Sequence, residues 1–536
     1  MAEAESQFTC AYCQIQANQR CTGCHVTFYC SREHQKLHWK KHKNRCCSYK
    51  ICNSETLGRY LVATRDLKPG ELILMEAPTI IAPMAVTPPV CLSCYAPVDG
   101  RYMCPLCGWP MCNEICRNSP AHIPECRITA ERGSPIKIAV TINKPFPLYE
   151  VVALLRCLYM KEKSSEKYKA LIRLEPHTKE RIKNGKYSRD KMTMLRVIRE
   201  FFSVPSTRFP DEDILALCGI LFVNSHEVPV TMSPSQALYQ NASLLEHSCV
   251  NNASKHFDMN CNILIRVAIP IKKGEHISIM YSDPIWGTVN RQQHLLETKF
   301  FTCRCIRCQD PTELNTHFSS IRCPGCPAGF LVSLDPFNYE SDWKCETCNR
   351  VETPRFVNAV IRSIGEELIS LEKGSPEACL SFVKKHSQNL HPHHFYLMDV
   401  KLALCQMIGQ SSYGTGSEIF ELHEKDLLQK QKLCTEILEV ANKISPGVSR
   451  LRGVVMYELQ ATLAAYARKK FSNGEISSDH MKNILQEVKK YLQECIQIFS
   501  YEPTCLQEGK LAAIARLDLV ELETFMDSVE SKKAIQ

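Results

Sequence analysis

Cysteine and histidine recur at metal-ligand spacing through the first quarter of this chain. Cys10-x2-Cys13, Cys21-x2-Cys24, Cys30-x3-His34 and His42-x3-Cys46 supply eight ligands, enough for two tetrahedral Zn²⁺ sites. Thiolate and neutral imidazole are the ligands Zn²⁺ prefers, and a CxxC turn presents both sulfurs to one ion. A second array, Cys91-x2-Cys94, Cys104-x2-Cys107, Cys112-x3-Cys116 and His122-x3-Cys126, repeats that order and reads as an internal copy of a two-zinc module. Ligands of such modules interleave. The expected sets are Cys10, Cys13, Cys30 and His34; Cys21, Cys24, His42 and Cys46; Cys91, Cys94, Cys112 and Cys116; and Cys104, Cys107, His122 and Cys126. Close CxxC pairs combined with histidine argue against a disulfide framework.

Two further constellations follow. Cys303-x-Cys305-x2-Cys308 supplies three thiolates and needs a fourth ligand from elsewhere in the fold, for which Cys249 is the candidate. Cys323-x2-Cys326 and Cys345-x2-Cys348, 18 residues apart, have zinc-ribbon spacing. The expectation is about six zinc ions, each saturated by protein ligands and therefore structural, with no open position for catalysis. Ten of the 31 cysteines remain, Cys218 and Cys405 among them, and these are expected to be small buried hydrophobes.

These sites must be carried by several domains, since 536 residues suffice for roughly three or four. Hydrophobic content of 44% and charged content of 23% are those of a soluble globular protein. The net charge of +8 gathers near the first array at Lys36, Lys40, Lys41, Lys43 and Arg45, which reads as a solvated basic helix with at most weak nucleic-acid binding. The opening MAEAESQFTC shows no signal-peptide pattern, and the longest apolar run, 214–223, is about half a membrane span. Many cysteines without a secretory signal point to a reducing compartment, cytoplasmic and nuclear.

Residues 57–83 alternate apolar and polar around a turn at Lys68-Pro69-Gly70 and read as short strands, which return over 218–282. Residues 149–217 carry apolar residues at three- and four-residue spacing and read as helical. Beyond Pro354 nearly everything reads as amphipathic helix, paired as in a TPR-like array without a clean 34-residue period.

Five segments resemble the SMYD family, SET-domain lysine methyltransferases with a MYND zinc finger inserted in the SET domain. Gly58-Arg59-Tyr60-Leu61 stands where the family has its GxGL turn, and the second array occupies its MYND position. Asn224-Ser225 matches an Asn-Ser near the cofactor. Residues 245–252, LEHSCVNN, correspond to NHSCxPN, and residues 274–281, GEHISIMY, to the strand bearing the catalytic tyrosine. The CxCxxC after Phe301 resembles the post-SET loop. An extra array at the N-terminus, with the GRYL and KFFTCRCIRCQDPTE wording, is most similar to the arthropod branch.

The resemblance implies an α+β fold: a zinc-stabilised, β-rich SET domain with an inserted MYND finger, plus an all-α TPR-like C-terminal domain. Its implied parts are an N-terminal MYND-type finger (7–47), the first part of the SET domain (48–90), the inserted array (91–126), a helical insertion (135–217), the SET core (218–283), the post-SET loop (284–310), a zinc ribbon (320–350) and the helical domain (354–536). It implies an S-adenosyl-L-methionine-dependent protein-lysine N-methyltransferase acting on histone or non-histone protein and linked to transcriptional regulation. Tyr281 would be catalytic, with Gly58, Arg59, Tyr60, Leu61, Asn224, Glu246, His247, Tyr281 and Phe301 at the cofactor. The implied protein is a monomer that takes transcriptional-regulator peptides through its MYND modules and has no membrane span.

Methyl transfer to lysine is an in-line displacement, so the enzyme's work is alignment of a neutral amine, which an apolar channel favours by depressing the lysine pKa. Three departures bear on this. Glu246 replaces an asparagine, Tyr60 replaces a small glycine where backbone passes close to the cofactor, and Lys299 stands where relatives have a second channel tyrosine. The alternative function is therefore a SET/MYND scaffold of weak or no turnover that binds regulator peptides. Sequence-specific DNA binding is disfavoured, since such arrays lack a base-reading recognition helix.

Overall fold

The computed structural model describes residues 8–137, 140–163, 165–409 and 418–533. The start of the opening segment read for a signal peptide, residues 1–7, lies outside them. Strand β1 (Tyr49–Ser54) pairs antiparallel with β2 (Gly58–Ala63), β3 (Leu72–Glu76) joins a three-stranded sheet, and β4 (Ile80–Pro83) another. Gly70, at φ +81°, makes the expected turn between β2 and β3, a conformation open to glycine at no steric cost.

The second array follows β4 and is locked to the core from beneath. Helix α1 (Arg32–His42) belongs to the first finger, where Ser31 caps it and its lysines stay in solvent. Helix α2 (Val152–Lys163) runs under the second finger and buries Arg156 there. Its guanidinium donates to Glu125 (2.7 Å), the Tyr95 hydroxyl (2.8 Å) and the Leu92 carbonyl (2.7 Å). Glu125 in turn holds the Nδ1 of His122 at 2.9 Å, so a core helix orients a metal ligand through a carboxylate.

Helix α3 (Asp211–Asn224) carries Asp211, Glu212 and Asp213 in its first turn, where the helix dipole favours negative charge, and buries most of the rest. The ILFVN stretch, expected among returning strands, is the end of this helix. Its ten consecutive apolar residues have no two-residue alternation, and length rather than pattern decides such a run. Strands resume with β5 (His226–Val228) and β6 (Ser235–Leu238), which complete the sheet β4-β6-β5.

The remaining core strands are β7 (Glu246–His247), β8 (Ala253–Phe257), β9 (Ile263–Val267) and β10 (Ser278–Ile279). β8 and β3 flank β9 antiparallel, while β7 and β10 pair in parallel, Ser278 opposite Glu246 and Ile279 opposite His247. Asn252 fixes that short pair, its amide donating to the His276 carbonyl (2.8 Å) and its oxygen accepting from the Ser278 N–H (2.9 Å). Helix α4 (Thr288–Lys299) then leads into the post-SET loop.

A four-stranded ribbon, β11 (Ile321–Arg322), β12 (Phe330–Ser333), β13 (Trp343–Cys345) and β14 (Val351–Glu352), precedes, among the described residues, seven α-helices. These are α5 (Pro354–Ser370), α6 (Pro376–His386), α7 (Phe395–Met407), α8 (Glu424–Ile444), α9 (Arg450–Ser472), α10 (Ser478–Phe499) and α11 (Gln507–Lys533). Their apolar faces form a core separate from that of the SET region. The helical domain closes on the SET sheet at two points. Gly447, at φ +70°, lies where any Cβ would fall 1.9 Å from the Ala268 carbonyl oxygen, and His256 on β8 bonds Glu502 at 2.6 Å. Among the described residues no helix is long and apolar enough to cross a membrane.

Candidate active site and zinc centres

The structure gathers the ligand sets in the interleaved pairings: Cys10, Cys13, Cys30 and His34; Cys21, Cys24, His42 and Cys46; Cys91, Cys94, Cys112 and Cys116; Cys104, Cys107, His122 and Cys126. Cys249, 54 residues away in sequence, joins Cys303, Cys305 and Cys308. Tetrahedral Zn²⁺ with Zn–S of about 2.3 Å requires sulfurs about 3.8 Å apart. The sulfur pairs Cys21–Cys46 and Cys104–Cys126 lie 3.8 Å apart, Cys249–Cys303 3.9 Å and Cys249–Cys308 3.5 Å. In the ribbon, Cys323–Cys348 is 3.6 Å and Cys326–Cys345 3.7 Å. All 31 cysteines are free thiols, so these spacings are those of zinc ligands and not of disulfides. Of the ten cysteines outside these sets, Cys157, Cys218, Cys379, Cys405, Cys434 and Cys495 are buried as expected. Cys47 and Cys505 are exposed, and Cys52 and Cys261 half-buried, because each sits in a loop or edge strand.

The post-SET centre rests on groups that no spacing rule indicates. Arg291 of α4, fully buried, points its Nε at the Cys249 sulfur (3.3 Å) and an Nη at Cys308 (3.6 Å). Glu313 accepts from Arg291 (2.8 Å) and from Arg307 (2.9 Å), also buried. Burial alone would raise the Glu313 pKa, but the two arginine charges hold it down to about 2. Gln292 clamps Cys303, donating to its carbonyl (2.7 Å) and accepting from its N–H (2.9 Å). These partners orient the thiolates and offset their charge.

Next to this centre lies the candidate active site. His247 Nδ1 accepts the Tyr281 backbone N–H (3.0 Å), which leaves the ring proton on Nε2, aimed at the Cys249 sulfur 3.2 Å away. The Tyr281 hydroxyl donates to the Leu245 carbonyl. Phe301 stands 5.9 Å from the His247 ring, delivered there because Phe300 ends α4 in the left-handed conformation, φ +60°. Zinc ligand, β7 and the tyrosine are thus one bonded unit.

The remaining residues divide. Tyr60 stacks on His276 (4.4 Å, 30°), and His276 Nδ1 bonds the Glu246 carboxylate (3.0 Å). The departures at 60 and 246 are therefore joined through His276, which reads on its own as an ordinary strand residue. The antiparallel run of β2 beside 274–277 creates this contact. Gly58 opens β2 at φ +64°. Arg59 reaches away to the Arg173 carbonyl (2.6 Å), and Leu61 is buried in the core. Asn224 donates to the Glu175 (3.0 Å) and Ile220 (2.9 Å) carbonyls. Lys299, half-buried, donates to the Val223 carbonyl (2.5 Å), its nitrogen 5.5 Å from the Tyr281 ring centre. Burial and the nearby Lys255 charge lower its pKa to about 8.

Comparison with known proteins adds to this geometry. The MYND finger family matches residues 10–46, the first array, and the SET domain family matches residues 58–282, a span that contains the second. The Drosophila melanogaster SET domain-containing protein SmydA-8, isoform B, is 24% identical over 77% of this chain and 91% of its own length. Mouse histone-lysine N-methyltransferase SMYD3 is 26% identical over 47% of this chain and 59% of its own. Chicken N-lysine methyltransferase SMYD2 is 25% identical over 47% and 57%. A crystal structure of the SET domain of LSMT bound to lysine and AdoHcy, 13% identical, covers 91% of this chain and 92% of that one at a TM-score of 0.29, too loose to place residues. With a MYND finger ahead of a SET domain, and a likeness to SmydA-8 running over 77% of this chain, the chain has the domain make-up of the SMYD proteins and is similar to the Drosophila SmydA-8 among them.

Proposed function

We propose that this protein is an S-adenosylmethionine-dependent protein-lysine N-methyltransferase acting on a histone or another protein lysine. One observation carries the reading: the parallel pairing of β7 with β10 gathers Glu246, His247 and Tyr281 beside Phe301. The residues fit the cofactor's chemistry. The Glu246 carboxylate suits a sulfonium or ammonium, and Phe301 suits a flat base. The Ser282 hydroxyl, buried next to Tyr281, has no hydrogen-bond partner among the described residues. When bound, the cofactor supplies an electrophilic methyl group on a positive sulfur.

The chain's own contribution is alignment. The Leu245 carbonyl accepts the hydrogen bond that the Tyr281 hydroxyl donates, leaving the lone pairs of the phenol oxygen free to accept an N–H from the acceptor amine. Burial, with the Glu246 charge behind it, raises the Tyr281 pKa, so the phenol remains neutral at physiological pH. The names borne by mouse SMYD3 and chicken SMYD2 support the reaction class. Calorimetric titration with S-adenosylmethionine, followed by methyl transfer to histones and cell-extract proteins, tests the reading. Tyr281→Phe should abolish transfer with little change in cofactor affinity, because it removes a hydroxyl and little volume. Wild-type protein that binds no cofactor would end the enzyme reading.

A second reading has its own support. On the first finger Tyr12, Leu37 and Trp39 are exposed together with the lysines of α1, a surface suited to peptides of transcriptional regulators. We place such a scaffold, like the enzyme, in the cytoplasm and nucleus as a monomer with about six zinc ions. Sedimentation and microscopy of the tagged chain check these points.

A further inference from the structure

We propose that Lys299 is a methyl acceptor of this protein's own site, so that the protein modifies itself there. The inference rests on the methyltransferase reading above. Three observations carry it. Lys299 ends α4, and the left-handed Phe300 behind it, packed on His177 at 5.2 Å, anchors its backbone. Its nitrogen lies 5.5 Å from the Tyr281 ring centre and 2.5 Å from the carbonyl of Val223, one residue before Asn224. An incoming lysine would have to place its amine beside the same tyrosine, so Lys299 holds by tether the position a substrate must reach by binding.

The chemistry of the amine suits the role. Donation to the Val223 carbonyl uses an N–H and leaves the nitrogen lone pair unspent. The groups facing it are Lys255 and His226, which add no negative charge to hold its proton, and the neutral Tyr281. A lysine pushed down to about 8 is neutral in roughly a tenth of molecules at pH 7. That neutral Nζ attacks the methyl carbon on the sulfonium of S-adenosylmethionine. A C–N bond forms and the S–C bond breaks, its electron pair returning to sulfur as the neutral thioether. The resulting methylammonium is a cation that the Tyr281 ring face stabilises, and its loss of a proton to solvent leaves the neutral methylamine.

The test uses the purified full chain. After incubation with S-adenosylmethionine, peptide mass mapping should find one or more methyl groups on Lys299, at a per-chain rate independent of protein concentration. A second measurement needs no turnover. Calorimetric titration with S-adenosylmethionine at pH 7, in two buffers of different ionisation enthalpy, should show proton release as a second cation enters beside Lys299. The release should approach the roughly nine-tenths of a proton Lys299 holds there, and vanish in Lys299→Met. Binding with Lys299 unmodified, or with equal proton release in both proteins, overturns the proposal and leaves the enzyme reading intact. Absence of binding overturns both.

Discussion

Glu313→Ala would strip the carboxylate from between two buried guanidinium groups. Arg291, Arg307 and Glu313 are each at most 1% exposed, and Glu313 also accepts from Ser319 (2.5 Å) and the Thr288 N–H (3.2 Å). The arginines hold its pKa at about 2 against an ordinary 4.5, a difference worth about 3 kcal/mol. Breaking a buried ion pair from one side costs about 3–5 kcal/mol, which agrees with that figure. Because Arg291 touches Cys249 and Cys308, the loss should appear as opening of the post-SET zinc centre. Zinc release to a chromophoric chelator should therefore accelerate about 10²- to 10³-fold, at about 1.4 kcal/mol per decade. Glu313→Gln, which keeps the shape and some hydrogen bonds, should fall between. Glu200→Ala, at an exposed pair 2.8 Å from Arg196, should change release by less than about fivefold. If Glu313→Ala released zinc no faster than Glu200→Ala, the post-SET centre would not depend on this cluster.

Strong chelation should remove about six zinc ions and unfold the SET region with the fingers, since metal binding and folding are coupled; two or fewer ions by elemental analysis would refute the count. Cys249→Ser should lose one zinc and weaken cofactor binding. Cys405→Ser, in α7 with its sulfur on the Leu402 carbonyl (3.1 Å), should cost about 1–2 kcal/mol and no metal. Tyr60→Gly and Glu246→Asn should each weaken S-adenosylmethionine binding, and thermal unfolding of the double-mutant cycle should show coupling of at least about 0.5 kcal/mol through His276; additivity would refute the stack. Burial lowers the Lys299 pKa from 10.5 to about 8, so the unfolded chain binds more protons between those values, and wild-type stability should rise with pH there. Lys299→Met should be the more stable protein at pH 7, by up to about 3 kcal/mol, with the gap closing as pH rises through 8 to 10.5.

The zinc framework was legible in the chain because ligand chemistry is local. A CxxC turn brings two sulfurs together whatever surrounds it, and only the partner of the 303–308 cluster had to be found at a distance, in Cys249. Helices beyond Pro354 were legible for a similar reason, since a 3.6-residue apolar stripe is written within each. The 218–224 segment misled because an unbroken apolar run carries no period.

What only the tertiary structure decided are the contacts between segments far apart in sequence. The parallel register of β7 with β10 sets Glu246 beside 276–278, and β2 running along 274–277 puts Tyr60 on His276. Read singly, Tyr60 and Glu246 look like damage to a binding site; in the fold they are two ends of one stacked and hydrogen-bonded group. Arg156 beneath the second finger, Arg291, Arg307 and Glu313 beneath the post-SET centre, and Lys299 over Tyr281 have the same origin. Each is an ordinary charged residue until folding buries it, and burial makes its partner obligatory by removing the water that would otherwise solvate the charge. The sequence by itself determined which residues could bind metal; the packing of separate segments against one another determined which charges face one another without water.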